Sequence, residues 1–412
     1  MASVKTNRYS VLAAGAMIQL CIGIIYMWSV FQKYVVASFG WEDAQVSLTP
    51  SVMLGFFVIG ILIGGRIQDK TNPRSAVIIG TVAFCTGMLV TSFLPNDYPW
   101  LLYITYGIIG GFGVGVAYTS TLTCSQKWFP DKRGFATGMI VCAFGFSLVV
   151  FTFVAEALLS NLGAIVTFRI FAALFFVICI SASFFIKNPP QGYLPEGFTP
   201  SQAKAVDGKQ YTTGEMLKTP QFYLITLSLM LATPAYFILN PLLKTMGVER
   251  GLSNNLALTG VMITGIASAC GRLVAPWLSD KLGRKITILI LIAITTVAAL
   301  ILISAKSILF LVLIAFIAFA YGGYSGVYPA LTADFFGLKN AGANYGCVML
   351  GFGTSAIVFP FIAKYLRTSK EISNGLQISF AIAAGACIIA VILVAMIKKR
   401  NEASNQNKEL NM

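Results

Sequence analysis

The chain has 412 residues, of which 57% are hydrophobic and only 11% charged, with a formal net charge of +14 at pH 7. Soluble domains carry about 25% charged residues, so this chain cannot cover a water-facing surface, and the lipid bilayer is its natural solvent. The basic excess sits in short segments between apolar runs, not in a patch interleaved with aromatics, so it reads as membrane topology and not as a nucleic-acid footprint.

A helix needs about 20 apolar residues to cross about 30 Å of hydrocarbon. In chain order, such runs fall near 9–34, 45–66, 75–94, 98–123, 134–158 and 166–187, then near 221–243, 254–278, 286–304, 307–331, 342–365 and 374–397. The first run exceeds a signal-peptide core of about 7–15 residues, so it is expected to be the first span. Twelve spans put both termini on one side. Placing them inside assigns Lys70, Arg74, Lys127, Lys132, Arg133, Lys281, Arg284, Lys285, Lys398, Lys399 and Arg400 to cytoplasmic segments, as the positive-inside rule requires. The expected fold is therefore an all-α membrane protein of twelve transmembrane helices in two six-helix bundles, with both termini cytoplasmic. Its expected divisions are an N-terminal bundle (1–187), a cytoplasmic linker (188–220) containing Gln202, Lys204, Asp207 and Lys209, a C-terminal bundle (221–397) and a polar tail (398–412).

The chemistry-bearing residues are few. Histidine is absent, which removes the commonest general base, zinc ligand and neutral-pH proton switch. The eight cysteines lie in or beside apolar runs and form no C-x-x-C pair, so they read as small helix fillers and not as disulfides or metal ligands. No nucleophile–base arrangement is visible, so neither an enzyme nor a metal or other cofactor is expected. Gly107, Gly111 and Gly115, like Gly60 and Gly64, stack at four-residue spacing, which suits close helix contact. Gly111-x-Gly113-x-Gly115 lies inside an apolar span without the strand–helix context of a nucleotide loop.

Sorted by depth, two charged residues are singled out, Arg272 and Glu156. Arg272 lies eight residues before Asp280, or about 12 Å from the end of its helix. An arginine at that depth costs at least about 2.5–3.5 kcal/mol by insertion scales, so it is expected to face a wet cavity and offer its five donors to an anion. The competing explanation is a structural ion pair, but no acid is expected at matching depth. Glu156 lies 22 residues past Gly134, or about 33 Å along its helix. It reads first as an interfacial carboxylate and second as a candidate for coupling to a proton. Tyr26, Tyr118, Tyr321, Tyr324 and Tyr328 supply hydroxyls in or near the same spans; around one arginine they make a carboxylate pocket.

Two landmarks repeat. Gly65-Arg66-Ile67-Gln68-Asp69-Lys70 is matched about 211 residues later by Ser279-Asp280-Lys281-Leu282-Gly283-Arg284, and Trp128-Phe129-Pro130-Asp131-Lys132-Arg133-Gly134 about 207 residues later by Phe335-Phe336-Gly337. One offset for two landmarks implies a duplicated six-helix unit, and the pattern resembles the major facilitator superfamily. Asp69 and Asp280 are then expected to be gating residues, each pairing with a neighbouring base or helix N-terminus.

Within that superfamily the chain resembles the oxalate/formate antiporter family, which is related to monocarboxylate porters. The resemblance rests on Tyr26 with Trp28, on the 128–134 run, on Gly214-Glu215-Met216-Leu217-Lys218-Thr219-Pro220-Gln221-Phe222, on Gly271-Arg272, and on Asp334-Phe335-Phe336-Gly337 leading to Asn344-Tyr345-Gly346. It implies that Arg272 binds the substrate carboxylate, that Tyr26 and Tyr118 are pocket tyrosines, and that Tyr321 replaces a pocket tryptophan. Where oxalate carriers place a second pocket cation, a lysine, this chain has Phe352. A dianion facing one arginine would keep an uncompensated charge, so the departure favours a monoanion such as lactate, pyruvate or formate. The expected function is a secondary transporter in a bacterial or archaeal cytoplasmic membrane, working as a monomer on a small organic anion, with H+ as the candidate co-substrate. An oxalate/formate-type exchanger, a drug exporter and a carboxylate sensor without turnover are the rivals.

Overall fold

The computed structural model describes residues 7–190, 192–195, 197–198, 209–368 and 374–398. Gln202, Lys204 and Asp207 of the expected linker, and the tail from Lys399 onward with Arg400, lie outside the described residues.

The first half contributes α1 (Arg8–Phe39), α2 (Asp43–Lys70), α3 (Pro73–Thr91) and α4 (Tyr103–Trp128), followed by one helical stretch, Arg133–Ser183. That stretch has 51 residues, or about 76 Å at the helical rise, more than twice a bilayer core. It breaks at Gly163, whose φ of 74° and ψ of 175° no helix contains. A left-handed φ strains any side chain but costs glycine little. The next amide, Ala164, donates to Ser38 Oγ instead of to a helical carbonyl. The break yields α5 (133–162) and α6 (164–183). The second half contributes α7 (Pro220–Leu242), α8 (Asn254–Leu282), α9 (Arg284–Leu302), α10 (Ser307–Phe336), α11 (Ala341–Thr368) and α12 (Gly375–Met396).

Local chemistry sets the helix starts. Asn72 and Thr219 cap α3 and α7 with their side chains, each followed by proline at the first helical position; proline there sacrifices only an amide that lacks a partner anyway. Several helices outrun their apolar stretches. The first span reaches Phe39, not residue 34, and α10 continues to Phe336. α8 is less apolar than its neighbours because it carries Asn, Gly, Ser, Thr and Arg272, yet its 29 residues are long enough to span.

Glycines hold the helices close. Gly60 meets the Phe112 backbone and Gly64 meets Val116, joining α2 to α4, while Gly111 and Gly115 lie on the backbones of Met53 and Phe57. In lipid, such contact supplies the dispersion that hydrophobicity cannot. Polar side chains add fixed points: Gln19 of α1 donates to Tyr118 O (3.1 Å) and Thr121 Oγ1 (2.8 Å) of α4.

The halves meet along two seams. In the first, α2 runs against α11: Gly65 packs on Gly342, Gly346 on Leu62 and Gly353 on Val58. In the second, α5 runs against α8: Gly134 packs on Pro276 and Gly138 on the carbonyls of Arg272 and Leu273. Arg8, Asp69, Asp131, Asp280 and Asp334 gather at one end. Lys285 joins α9 to the α12 terminus there, through Ala395 O (2.6 Å) and Ile397 O (3.2 Å). Both ends of the described chain therefore lie on the same side, and this termini end is closed. Farther out, no atom lies within 4 Å of the place a Cβ on Gly55 (α2) or Gly265 (α8) would take.

Candidate functional site

Arg272 is carried by α8 into the seam with α5. It is 5% exposed, and its Nη1 donates a long bond to Val141 O (3.4 Å) of α5. Its Nε is buried without a partner. The guanidinium lies over the Tyr26 ring, 5.5 Å from the centroid. Room for it comes from Gly145, where a Cβ would sit 2.5 Å from Nη1. Among the described residues no carboxylate pairs with Arg272; its titratable neighbours are Tyr26, Tyr321, Tyr236 and Tyr118. A buried guanidinium with unused donors and no counter-charge costs several kcal/mol of desolvation on the order of magnitude expected for a lone ion. An incoming anion would offset that cost.

The cavity in front of Arg272 is nearly closed in this state, with a volume of about 20 Å³. All five residues the sequence analysis assigned to substrate line it together: Arg272, Tyr26 from α1, Tyr118 from α4, Tyr321 from α10 and Phe352 from α11. Val141, Phe57, Phe144, Leu229 and Met349 complete an apolar wall. Tyr118 neighbours Tyr345, and Tyr26 neighbours Tyr321, so each pair spans the two halves.

Tyr324 and Tyr328 also line the cavity, but their hydroxyls turn into the second half. Tyr324 bonds Thr295 (2.8 Å) and Tyr328 donates to Ser228 (3.0 Å). They shape the wall, and their hydroxyls are committed elsewhere. Four aromatics escaped the sequence reading: Phe57, Phe144 and Tyr345 in the cavity lining, and Tyr236 beside Tyr321. Tyr345 lies one and two turns before Met349 and Phe352 on a single face of α11, a spacing that was available as a signal. Tyr236 stacks on Tyr321 with centroids 3.6 Å apart and planes 8° apart; only the fold brings these two helices together.

Glu156 is not in the cavity. It lies toward the end opposite the termini, 46% exposed in its side chain, 3.0 Å from Lys33 Nζ, and accepts from the Tyr34 hydroxyl at 2.7 Å.

Asp69 and Asp280 both sit at helix N-termini of the opposite half. Asp69 ends α2 and accepts from Ala343 N (3.0 Å) in the first turn of α11, with Lys127 Nζ at 3.9 Å. Asp280 ends α8 and accepts from Gly134 N (2.9 Å) and Phe135 N (2.8 Å) in the first turn of α5. First-turn amides lack helical partners and carry the positive end of the helix dipole. Each carboxylate thus latches one half to the other. Arg284 pairs with Asp280 (2.7 Å) and Asp334 (2.9 Å), and Asp334 with Arg133 (3.0 Å), which extends the second latch.

The family model described as Major Facilitator Superfamily matches residues 12–308 and 236–411. The chain is 26% identical to the uncharacterized MFS-type transporter YhjX of Escherichia coli, covering 86% of this chain and 87% of that one. It is 25% identical to the oxalate:formate antiporter of Oxalobacter formigenes, covering 96% and 92%. It is also 25% identical to monocarboxylate transporter 13 of Rattus norvegicus, covering 92% and 86%. Among solved structures, the transporter FucP in its outward conformation superposes with a TM-score of 0.73 at 14% identity, covering 94% of this chain and 99% of that one; at that identity the likeness concerns the fold. The resemblance to the oxalate/formate antiporter family stands at this low level of identity.

Proposed function

The chain belongs to the Major Facilitator Superfamily, and we propose that it carries a small monocarboxylate, of the size of pyruvate, lactate or formate, across a bacterial or archaeal cytoplasmic membrane. The observation that carries this reading is Arg272, buried in the seam between the halves, without a carboxylate partner among the described residues, before an aromatic cavity. One carboxylate would use the guanidinium's free donors, tyrosine hydroxyls would meet its other oxygen or an α-substituent, and Phe352 and Met349 would hold a short apolar end. That two relatives are named for oxalate, formate and monocarboxylate carriage supports the chemical class. Transport proceeds by alternating access: the halves rock about the site, and the two aspartate latches hold the termini end shut in one of the two states.

Charge balance argues for exchange. With a monoanion bound, the site is neutral; empty, it holds one uncompensated cation, which raises the barrier to rocking. Among the described residues no acid lines the cavity, and Glu156 is held by Lys33 and Tyr34 away from it. Proteoliposomes loaded with unlabelled pyruvate should therefore take up labelled pyruvate rapidly, and an inward proton gradient should not drive accumulation. Glu156→Gln should exchange at close to the parent rate, because its pair with Lys33 is solvent-exposed and stands outside the cavity. Gradient-driven accumulation abolished in Glu156→Gln would reverse the assignment to proton symport. Absence of any pyruvate movement would reject the cargo.

Phe352 should decide between one charge and two. Phe352→Lys places a second cation beside the Arg272 cavity. Oxalate should then gain on pyruvate by about tenfold or more in competition for exchange, since one well-placed charge-assisted hydrogen bond contributes about 1.5–3 kcal/mol. An unchanged oxalate-to-pyruvate preference would show that Phe352 does not face the cargo.

A further inference from the structure

A second concavity opens at the termini end, outside the α5–α8 seam. It holds about 400 Å³, and Tyr9, Phe129, Lys132, Phe135, Trp277 and Lys281 line it together with Asp280. Trp277 and Tyr9 are about half-exposed, the pattern of aromatic side chains at a membrane–water boundary. Lys281 follows Trp277 by one helical turn and holds its ammonium 4.0 Å over the indole. Asp280 does not cancel the lysines. Its two oxygens are taken by the amides of Gly134 and Phe135, and Arg284 neutralises it at 2.7 Å. Among the described residues neither Lys132 nor Lys281 has a carboxylate partner. What remains is an aromatic groove at the termini end with two ammonium groups at its rim, one from each half of the protein.

We propose that this groove binds the headgroup of an anionic phospholipid, whose phosphate is shared by Lys132 and Lys281 and whose glycerol and upper chain carbons lie on Trp277 and Phe135. A free phosphate would meet the same lysines, but the aromatic floor has no use in binding it, whereas a lipid covers the rings and the charges at once. Because Lys132 precedes α5 and Lys281 ends α8, a lipid held by both spans the seam beside the Asp280 latch and favours the closed termini end. This inference does not depend on the identity of the cargo.

The test is native mass spectrometry of the purified full chain in detergent, titrated with phosphatidylglycerol or phosphatidylcholine. Phosphatidylglycerol should be retained more strongly. Lys132→Gln and Lys281→Gln should each weaken its retention about fivefold, as expected for one basic residue near an anionic lipid surface. Lys306→Gln, at the opposite end, should leave retention unchanged. Equal retention of the two lipids, or retention indifferent to the Lys132→Gln/Lys281→Gln pair, overturns the proposal. Displacement of the lipid by millimolar inorganic phosphate overturns it in favour of a free-anion site. If the double variant does not elute as a monodisperse species, the two single variants carry the comparison.

Discussion

Arg272→Ala should abolish exchange of pyruvate while leaving the fold intact. Truncating one partner of a buried, hydrogen-bonded charge pair costs about 2–5 kcal/mol or more, which corresponds to a loss of roughly 30-fold to several thousand-fold in apparent affinity. Stability should move the other way. Arg272 has one long bond to Val141 O, an unpartnered Nε and no carboxylate partner among the described residues, so its removal relieves a desolvation cost. The variant should thus melt at or above the parent's temperature in the absence of cargo and lose the upward shift that pyruvate gives the parent. A structural ion pair predicts the reverse, since deleting one member of such a pair strands the other. Arg272→Lys should recover only part of the exchange, because an ammonium keeps the charge but not the planar, two-pronged donor geometry. Full-rate exchange by Arg272→Ala would remove this residue from the site.

The sequence made Arg272 legible because a single cation stood against a long apolar background, and its depth could be read by counting back from Asp280. The glycine stacks were legible for a similar reason: a four-residue spacing has one physical meaning on a helix. What could not be read was which helices face each other across the halves. The sequence suggested that Asp280 would seek a base or a helix N-terminus, but nothing local specifies that the amides are those of Gly134 and Phe135, well over a hundred residues earlier. Hydroxyl direction was likewise hidden. Tyr324 and Tyr328 resemble Tyr321 in sequence, and only the packing of α9 and α7 turns their oxygens toward Thr295 and Ser228. Helix ends were misjudged where a helix outlasts its apolar run, as at Phe39 and Phe336, because backbone hydrogen bonding continues past the hydrocarbon boundary.

Alternating access, as proposed, requires the closed end to open, and the duplicated latches are suited to that. Each depends on a carboxylate accepting from first-turn amides of a helix in the opposite half, and such contacts are exchangeable with water. Backbone contact beside them is less forgiving. Gly65 lies against the backbone of Gly342 and Ala343, and the reciprocal position on Gly342 would bring a Cβ within 2.7 Å of the Gly65 Cα. Neither neighbour is the end of a flexible side chain that could swing aside. Gly65→Val should therefore prevent the termini end from closing. Overpacking of a close-packed contact costs about 1–3 kcal/mol, occasionally more, so the closed state should fall about 5- to 150-fold relative to the alternative. Exchange should drop accordingly, since each turnover requires both states, while the Arg272 cavity retains its residues. The measurement is thiol accessibility of a cysteine placed at Ser325, which lines the cavity, in a chain otherwise free of cysteine. In the parent, a membrane-impermeant reagent should reach it mainly from the side opposite the termini; in Gly65→Val it should reach it mainly from the termini side. Gly65→Ala, with a smaller intrusion, should fall between. Accessibility unchanged from the parent in Gly65→Val would mean that the α2–α11 contact does not set the closed state, and the latches at Asp69 and Asp280 would have to hold that end shut unaided.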